Sequence, residues 1–441
     1  MYFAKERAEL ICRQLKDAII TKQIKISNWD VKEGCYVDVS EAEASKEEWK
    51  KFDAETDRWY GKDRHYWFRS FITVPDELDG CNMWLHIRTQ LEDWDDGRNP
   101  QFLVFINKVP TQGLDINHLE IKLTDSAKAG EKIQVDLQAY TGTLHSEFKL
   151  LTDLEERDEE IKDLYYDIQV PLWGLGRMDK DDRIRIMLES VINDTINLID
   201  LRKIHSDLFY KSIRKASDYI RINLYENNET AGFDDVIATC IGHTHIDVAW
   251  LWTVAQVRQK SCRSFATVLK LMEEYPGYKF MSSQPQLYEF VKERHPELYQ
   301  RIKDRVSEGR WEPEGGMWVE ADCNLTSGES LVRQFLVGKT FFKNEFGKDN
   351  EILWLPDAFG YSAALPQIMK KSGVNYFMTT KLAWNEFNKI PNDTFMWEGI
   401  DGTSVFTYLI TTLGVGQAET SFFTTYNGML HPDAIIGGWH R

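Results

Sequence analysis

From about residue 235 onward, apolar runs of strand length alternate with amphipathic stretches of helix length. VIATCIG, YKFMSSQ, RWEPEGG, EILWL and YFMTTK are the strand-like runs. Between them the spacing predicts helices over about Leu251 to Met272, around 287–308, from about Ser327, and over ALPQIMKKSG. TFMWEGIDGTSVFTYLI reads as a hairpin turning at Asp401-Gly402. Strands separated by helices can pair in parallel, so this part of the chain is expected to form a parallel sheet or barrel. Such folds collect their chemistry at the carboxyl ends of the strands.

The first half follows another rule. Residues 4–20 place Leu10, Ile11, Leu15 and Ile19 at helical spacing. From about residue 65, HYWFRSFITV, MWLHIRTQ, QFLVFINKV, IKL, KIQVDLQAYTG, FKLL and LYYDIQVPL form short runs punctuated by Gly, Pro, Asn and Asp. That pattern suits an antiparallel β-sandwich over roughly residues 30–175. Helical spacing returns over 180–225, and the polar stretch ENNETAGFDD then marks a boundary.

Charge and composition narrow the class of function. With 53 basic and 70 acidic residues the net charge is -17, which offers no electrostatic footprint for nucleic acid and is repelled by anionic membranes. There is no apolar run of the roughly 18 residues needed to span a bilayer, and the N-terminus does not read as a signal peptide. Cys12, Cys35, Cys81, Cys240, Cys262 and Cys323 form no CxxC pair. Free thiols in a reducing cytoplasm are therefore expected. The 15 Trp suit sugar or base stacking, although most rings of any one protein fill its core.

Three strand ends carry chemistry. The first runs VIATCIG into His243, Thr244, His245, Ile246 and Asp247. Alternate residues of an extended backbone point the same way, so His243, His245 and Asp247 can face one point. Imidazole and carboxylate are both good ligands for a divalent metal; alternatively the histidines cap the next helix or satisfy buried groups. The second delivers Asp357 into Ala358-Phe359-Gly360-Tyr361-Ser362; taken alone, Asp357 would equally cap a helix starting near Ser362. Trp250 and Phe359 repeat the pairing of a carboxylate with an aromatic ring. The third strand end, RWEPEGGMWVEAD, offers Glu314, Glu320 and Asp322 to hold sugar hydroxyls or support the site. Lys381 is a further cation within reach, or else a surface lysine.

HTHIDVAWLW, then EPEGGMWVEADCNLTSGESLVRQ, then LPDAFGYSAALPQI resemble, in that order, glycoside hydrolase family 38, the zinc-dependent retaining α-mannosidases. The resemblance is closest to the cytosolic and bacterial branch and is tight from about residue 230. It implies a multidomain chain: 1–176, an N-terminal helix and β-sandwich; 177–229, a helical linker; 230–441, a catalytic incomplete (β/α)7 barrel, truncated. It implies His245, Asp247 and Asp357 as ligands of one Zn²⁺, with other divalent metals also accommodated, and Asp357 as the catalytic nucleophile. Trp250, Phe359 and Lys381 become substrate-binding residues, and His243 holds a motif position without a ligand role. A further ligand histidine and the general acid are expected beyond residue 441, and His431-Pro432-Asp433 does not match that motif.

The function so implied is hydrolysis of terminal α-mannosidic bonds in oligosaccharides, through a covalent glycosyl-Asp intermediate, by a cytoplasmic enzyme. Little catalysis is expected from residues 1–441 alone, and homo-oligomerisation stays open. Two other readings stand beside it: a zinc-dependent carbohydrate deacetylase, and a non-catalytic carbohydrate-binding protein.

Overall fold

The computed structural model describes residues 4–91, 96–175, 178–227, 241–380, 382 and 390–409. It is a mixed structure of sheets and helices. The strands of the first half are β1 (Ile20–Lys25), β2 (Asn28–Glu33), β3 (Lys50–Asp53), β4 (Trp59–Gly61), β5 (His65–Thr73), β6 (Met83–Arg88), β7 (Gln101–Ile106), β8 (Val109–Leu114), β9 (Glu120–Thr124), β10 (Lys132–Tyr140), β11 (Ser146–Phe148) and β12 (Leu151–Arg157). Two antiparallel sheets result, one ordered β1-β12-β6-β9 and the other β3-β2-β5-β10-β7-β8, beside a small β4-β11 pair. The opening strands β1 and β2 escape a sequence reading because ITKQIK and NWDVKE are mostly polar.

The larger sheet is covered on both faces. Phe68 and Ile72 of β5, and Phe102 and Val104 of β7, join Leu85, Ile87, Ile121 and Leu154 of the facing sheet in one core. Their neighbours Trp67, Leu103 and Phe105 point the other way, into a second core built with the helix Val254–Glu274. Successive strand residues face opposite sides, so a sheet buried twice reads as a continuous apolar run, as HYWF and QFLVFI do. Trp67, Leu103 and Phe105 are fully buried, each stabilising by about 1.5–3 kcal/mol.

LYYDIQVPL is not a strand. It lies in the helix Glu159–Leu175, where Ile161, Leu164, Tyr165, Ile168, Leu172 and Leu175 form a buried face at helical spacing. That face packs with Ala8, Cys12 and Leu15 of the first helix (Ala4–Ala18) and with the helices Arg183–Asn197 and Asp207–Ile220. Aromatic and β-branched residues suggest a strand locally, and the tertiary partner overrides that preference. The N-terminal helix thus shares its core with the helical segment rather than with the sheets.

In the second half, β13 (Gly242–His243), β14 (Phe280–Ser282) and β15 (Trp311–Pro313) pair in parallel. So do β16 (Ile352–Trp354), β17 (Tyr376–Thr379) and β19 (Ser404–Leu409), while β18 (Thr394–Glu398) adds an antiparallel edge by the expected hairpin. The helices Val254–Glu274, Pro285–Arg294, Pro296–Ser307, Gly328–Phe346 and Leu365–Lys371 fall between the strands. Thr253 opens the first with a capping box completed by Gln256, and Ser327 caps the fourth. Met281, Trp354 and Met378 bring the inner faces of both parallel sheets into one cluster, with Ile241 and Tyr408 against it. No helix among the described residues is long and apolar enough to cross a membrane.

Candidate metal centre

The site is assembled where β13 and β16 end. His243, the last residue of β13, is buried. Its Nδ1 lies 3.0 Å from the Met281 carbonyl oxygen, and Trp354 Nε1 donates to its Nε2 at 3.3 Å. One ring nitrogen donates and the other accepts, which describes a neutral imidazole satisfied on both sides. The expectation that His243 shares a face with His245 and Asp247 fails here. Both of its nitrogens are engaged within the sheet interior, and regular strand pairing stops at His243.

Beyond that point the backbone swings His245 and Asp247 outward. The Ile246 carbonyl accepts from Gln284 Nε2 at 2.9 Å, and the Asp247 carbonyl accepts from Trp252 Nε1 at 3.0 Å. These two bonds hold the loop just before the helix at Val254 begins. His245 Nε2 stands 3.2 Å from Asp247 Oδ1 and 3.6 Å from Asp357 Oδ2. Among the described residues, His245, Asp247 and Asp357 form a group whose ligand atoms lie within 4.8 Å of one another.

Asp357 reaches this group from the loop after β16. Leu355 N donates to the Met378 carbonyl at 3.1 Å, and Tyr361 Oη donates to the Ala358 carbonyl at 2.8 Å. The hydroxyls of Thr380 and Tyr361 add bonds to the Pro356 carbonyl and to Thr379. The following helix starts at Leu365 with Ala364 at its cap and no side-chain cap bond, so Asp357 is not a capping residue.

Trp250 and Phe359 sit on the same two loops and are 65% and 75% exposed. Lys381 lies outside the described residues, as do His431 and Asp433. The three carboxylates of the third strand end part company. Glu314 Oε1 accepts from Gly315 N and Ile352 N, tying β15 to β16, and burial raises its carboxyl above the ordinary range. Asp322 accepts from Asn324 N and Leu325 N at 2.8 Å each, closing an exposed turn. The Glu320 side chain is shielded from solvent, with Oε2 2.8 Å from His245 Nδ1. Burial disfavours a charged His245, but Glu320, Asp247 and Asp357 outweigh it and hold the imidazole well above its usual range.

A nitrogen and two carboxylate oxygens, converging beside a third carboxylate, fit a divalent cation. A cation held there would supply the positive charge that this crowd of acidic groups otherwise draws from a proton on His245.

Residues 235–440 match the glycosyl hydrolases family 38 N-terminal domain. Residues 235–440 are a glycoside hydrolase family 38 domain. It is 35% identical to alpha-mannosidase G of Dictyostelium discoideum over 78% of this chain and 32% of that protein. It is 52% identical to human alpha-mannosidase 2C1 over 38% of this chain and 16% of that protein. With the alpha-mannosidase of Saccharomyces cerevisiae it shares 39% identity over 49% of this chain and 20% of that protein. The chain thus spans about a third or less of the length of these relatives. The family 38 domain contains the whole His245, Asp247 and Asp357 group.

Proposed function

We propose that the protein hydrolyses terminal α-mannosidic bonds in oligosaccharides, with Asp357 as nucleophile and with His245, Asp247 and Asp357 holding one Zn²⁺. The observation that carries this reading is the convergence of those three side chains within 4.8 Å from two distant strand ends. The family 38 domain and relatives named as alpha-mannosidases give the reaction class.

Asp357 attacks the anomeric carbon, the glycosidic oxygen leaves with a proton from an acid, and an ester joins the sugar to the Asp357 carboxylate. Water then cleaves that ester with net retention of configuration. Bound zinc acts as a Lewis acid and template toward sugar oxygens. His245 and Asp247 belong to the anchored loop that faces Asp357, so they hold position while Asp357 changes its bonding. Trp250 and Phe359 present exposed rings beside the carboxylates, where a ring can cover the less polar face of a pyranose. Lys381 completes the substrate-binding set in this reading.

We assign residues 230–441 to a catalytic incomplete (β/α)7 barrel, supported by the parallel pairing and the shared inner cluster of Met281, Trp354 and Met378. Residues 1–176 are assigned to the N-terminal helix and β-sandwich and 177–229 to a helical linker. The core shared by the helices Ala4–Ala18 and Glu159–Leu175 argues for moving both into the helical unit. A cytoplasmic location suits the free Cys12, Cys35, Cys81, Cys262 and Cys323.

The deciding experiment treats the complete protein with a slow fluorinated α-mannosyl donor and maps the adduct by peptide mass spectrometry. A label on Asp357 is expected. Retained mannoside hydrolysis with Asp357 unlabelled overturns the assignment, and zinc-dependent release of acetate without any adduct points to a deacetylase instead.

A further inference from the structure

Three residues behind the metal group form an arrangement of their own. Glu320 Oε2 stands 2.8 Å from His245 Nδ1, on the opposite side of the ring from Asp247 and Asp357. The other carboxylate oxygen, Oε1, accepts from Ser283 Oγ at 2.7 Å. The Glu320 side chain is only 6% exposed. Oε1 is hydrogen-bonded, and Oε2 is in ion-pair contact with the His245 ring without an aligned hydrogen bond; the buried carboxylate therefore faces the ring and Ser283 rather than solvent.

The backbone around Glu320 is held just as closely. Glu320 N donates to Gln284 Oε1 at 3.2 Å, while Gln284 Nε2 donates to the Ile246 carbonyl at 2.9 Å. One buried amide thus clamps the Glu320 segment to the residue between His245 and Asp247. Gln284 does this with φ at 62°, a left-handed conformation that is costly for a side chain of this kind. On the other side, Val319 N donates to Gln334 Oε1 at 2.9 Å. A Cβ at Gly338 would stand 2.5 Å from the Met317 carbonyl carbon, so the helix Gly328–Phe346 lies directly on this segment.

We propose that Glu320 is a positioning residue for His245, holding the proton of the ring on Nδ1 so that the Nε2 lone pair faces the metal. Ser283 and Gln284 set the carboxylate in place. A neutral imidazole has one donor and one acceptor nitrogen, and the partner of the donor decides which nitrogen is left for a cation. Carboxylates hydrogen-bonded to ligand histidines orient the ring and raise its basicity, and their loss typically costs about 10–100-fold in metal affinity.

The inference rests on the proposed metal centre, so the test separates the two. The complete protein is titrated with Zn²⁺ alone by competition against a chromophoric chelator, and with Co²⁺ by visible absorption. Wild type is expected to bind one ion, and Asp247→Ala to lose it. Absence of binding to wild type, or binding by Asp247→Ala at wild-type affinity, overturns the metal centre and the role of Glu320 with it.

Given that dependence on Asp247, Glu320→Gln is expected to bind Zn²⁺ about 10–100-fold more weakly, with a shifted Co²⁺ spectrum. Unchanged affinity and an unchanged spectrum overturn the positioning role alone. Ser283→Ala removes only the bond that aims the carboxylate, and it serves if Glu320→Gln fails to fold. It is expected to lower affinity by roughly threefold or more while its metal-free melting temperature stays near wild type. Wild-type affinity in Ser283→Ala, in a protein whose Glu320→Gln variant does not fold, assigns Glu320 to folding and overturns the proposal.

Discussion

Gly113, on the edge strand β8, lies so close to Arg263 that a Cβ there would stand 2.6 Å from the Arg263 carbonyl oxygen. Thr267 Oγ1 donates to the Gly113 carbonyl at 3.0 Å on the same contact, and the Arg263 guanidinium reaches Gln101 beside it. Here the larger antiparallel sheet meets the helix that follows the metal loop. Gly113→Ala is expected to destabilise the protein by about 1–3 kcal/mol, because neither backbone can yield freely. Urea unfolding measures this, and an unchanged midpoint would show that the two halves are not locked together there.

Metal binding is expected to stabilise the fold. Zn²⁺ at about a hundred times its dissociation constant should add about 2.7 kcal/mol to the unfolding free energy. A chelator should remove the gain, and Asp357→Ala should abolish it while leaving the metal-free protein folded. Differential scanning calorimetry with and without Zn²⁺ reads the effect. A gain that persists in Asp357→Ala would place the ion elsewhere.

The rings of Trp250 and Phe359 are mostly in solvent, so they contribute little to stability. Trp250→Ala and Phe359→Ala are each expected to change unfolding free energy by less than about 0.5 kcal/mol. In the complete enzyme each is expected to lower kcat/KM for an aryl α-mannoside by roughly tenfold or more, about 1.4 kcal/mol of lost binding. Normal kinetics in both variants would remove the aromatic walls from the substrate site.

His65 gives the fold a defined acid sensitivity. Burial, then the nearby Arg263 and Arg294, lower its imidazole to about 4. The unfolded chain binds that proton near pH 6.5, so the stability is fully present above about 6.5. It is lost as pH falls from there to about 4, by up to about 3 kcal/mol. His65→Gln should flatten the decline between pH 6.5 and 4 in urea unfolding. A slope as steep as that of wild type would assign the acid sensitivity to other groups.

Much of this architecture is visible in local pattern. Alternating strand-like and helix-like runs after residue 235 place β14 to β17 and the helices between them correctly, and Asp401-Gly402 marks its hairpin. The apolar strand ends also point to His243, His245, Asp247 and Asp357, of which the last three converge. Pattern misleads where a segment's partner lies far away. Glu159–Leu175 looks extended and is helical because three other helices bury its apolar stripe.

Residue identity and spacing offered His243, His245, Asp247 and Asp357 as candidate ligands, and the family resemblance narrowed them to the last three, since ligand chemistry belongs to the side chain and strand ends are local features. They left open whether Asp357 caps a helix and which of Glu314, Glu320 and Asp322 serves the site. Those answers came from packing: Ala364 takes the cap, Glu314 and Asp322 bond to nearby backbone, and Glu320 alone meets His245. His243 likewise turned inward to Met281 and Trp354. Directions in space depend on how distant segments close against one another, and no periodicity along the chain records that closure.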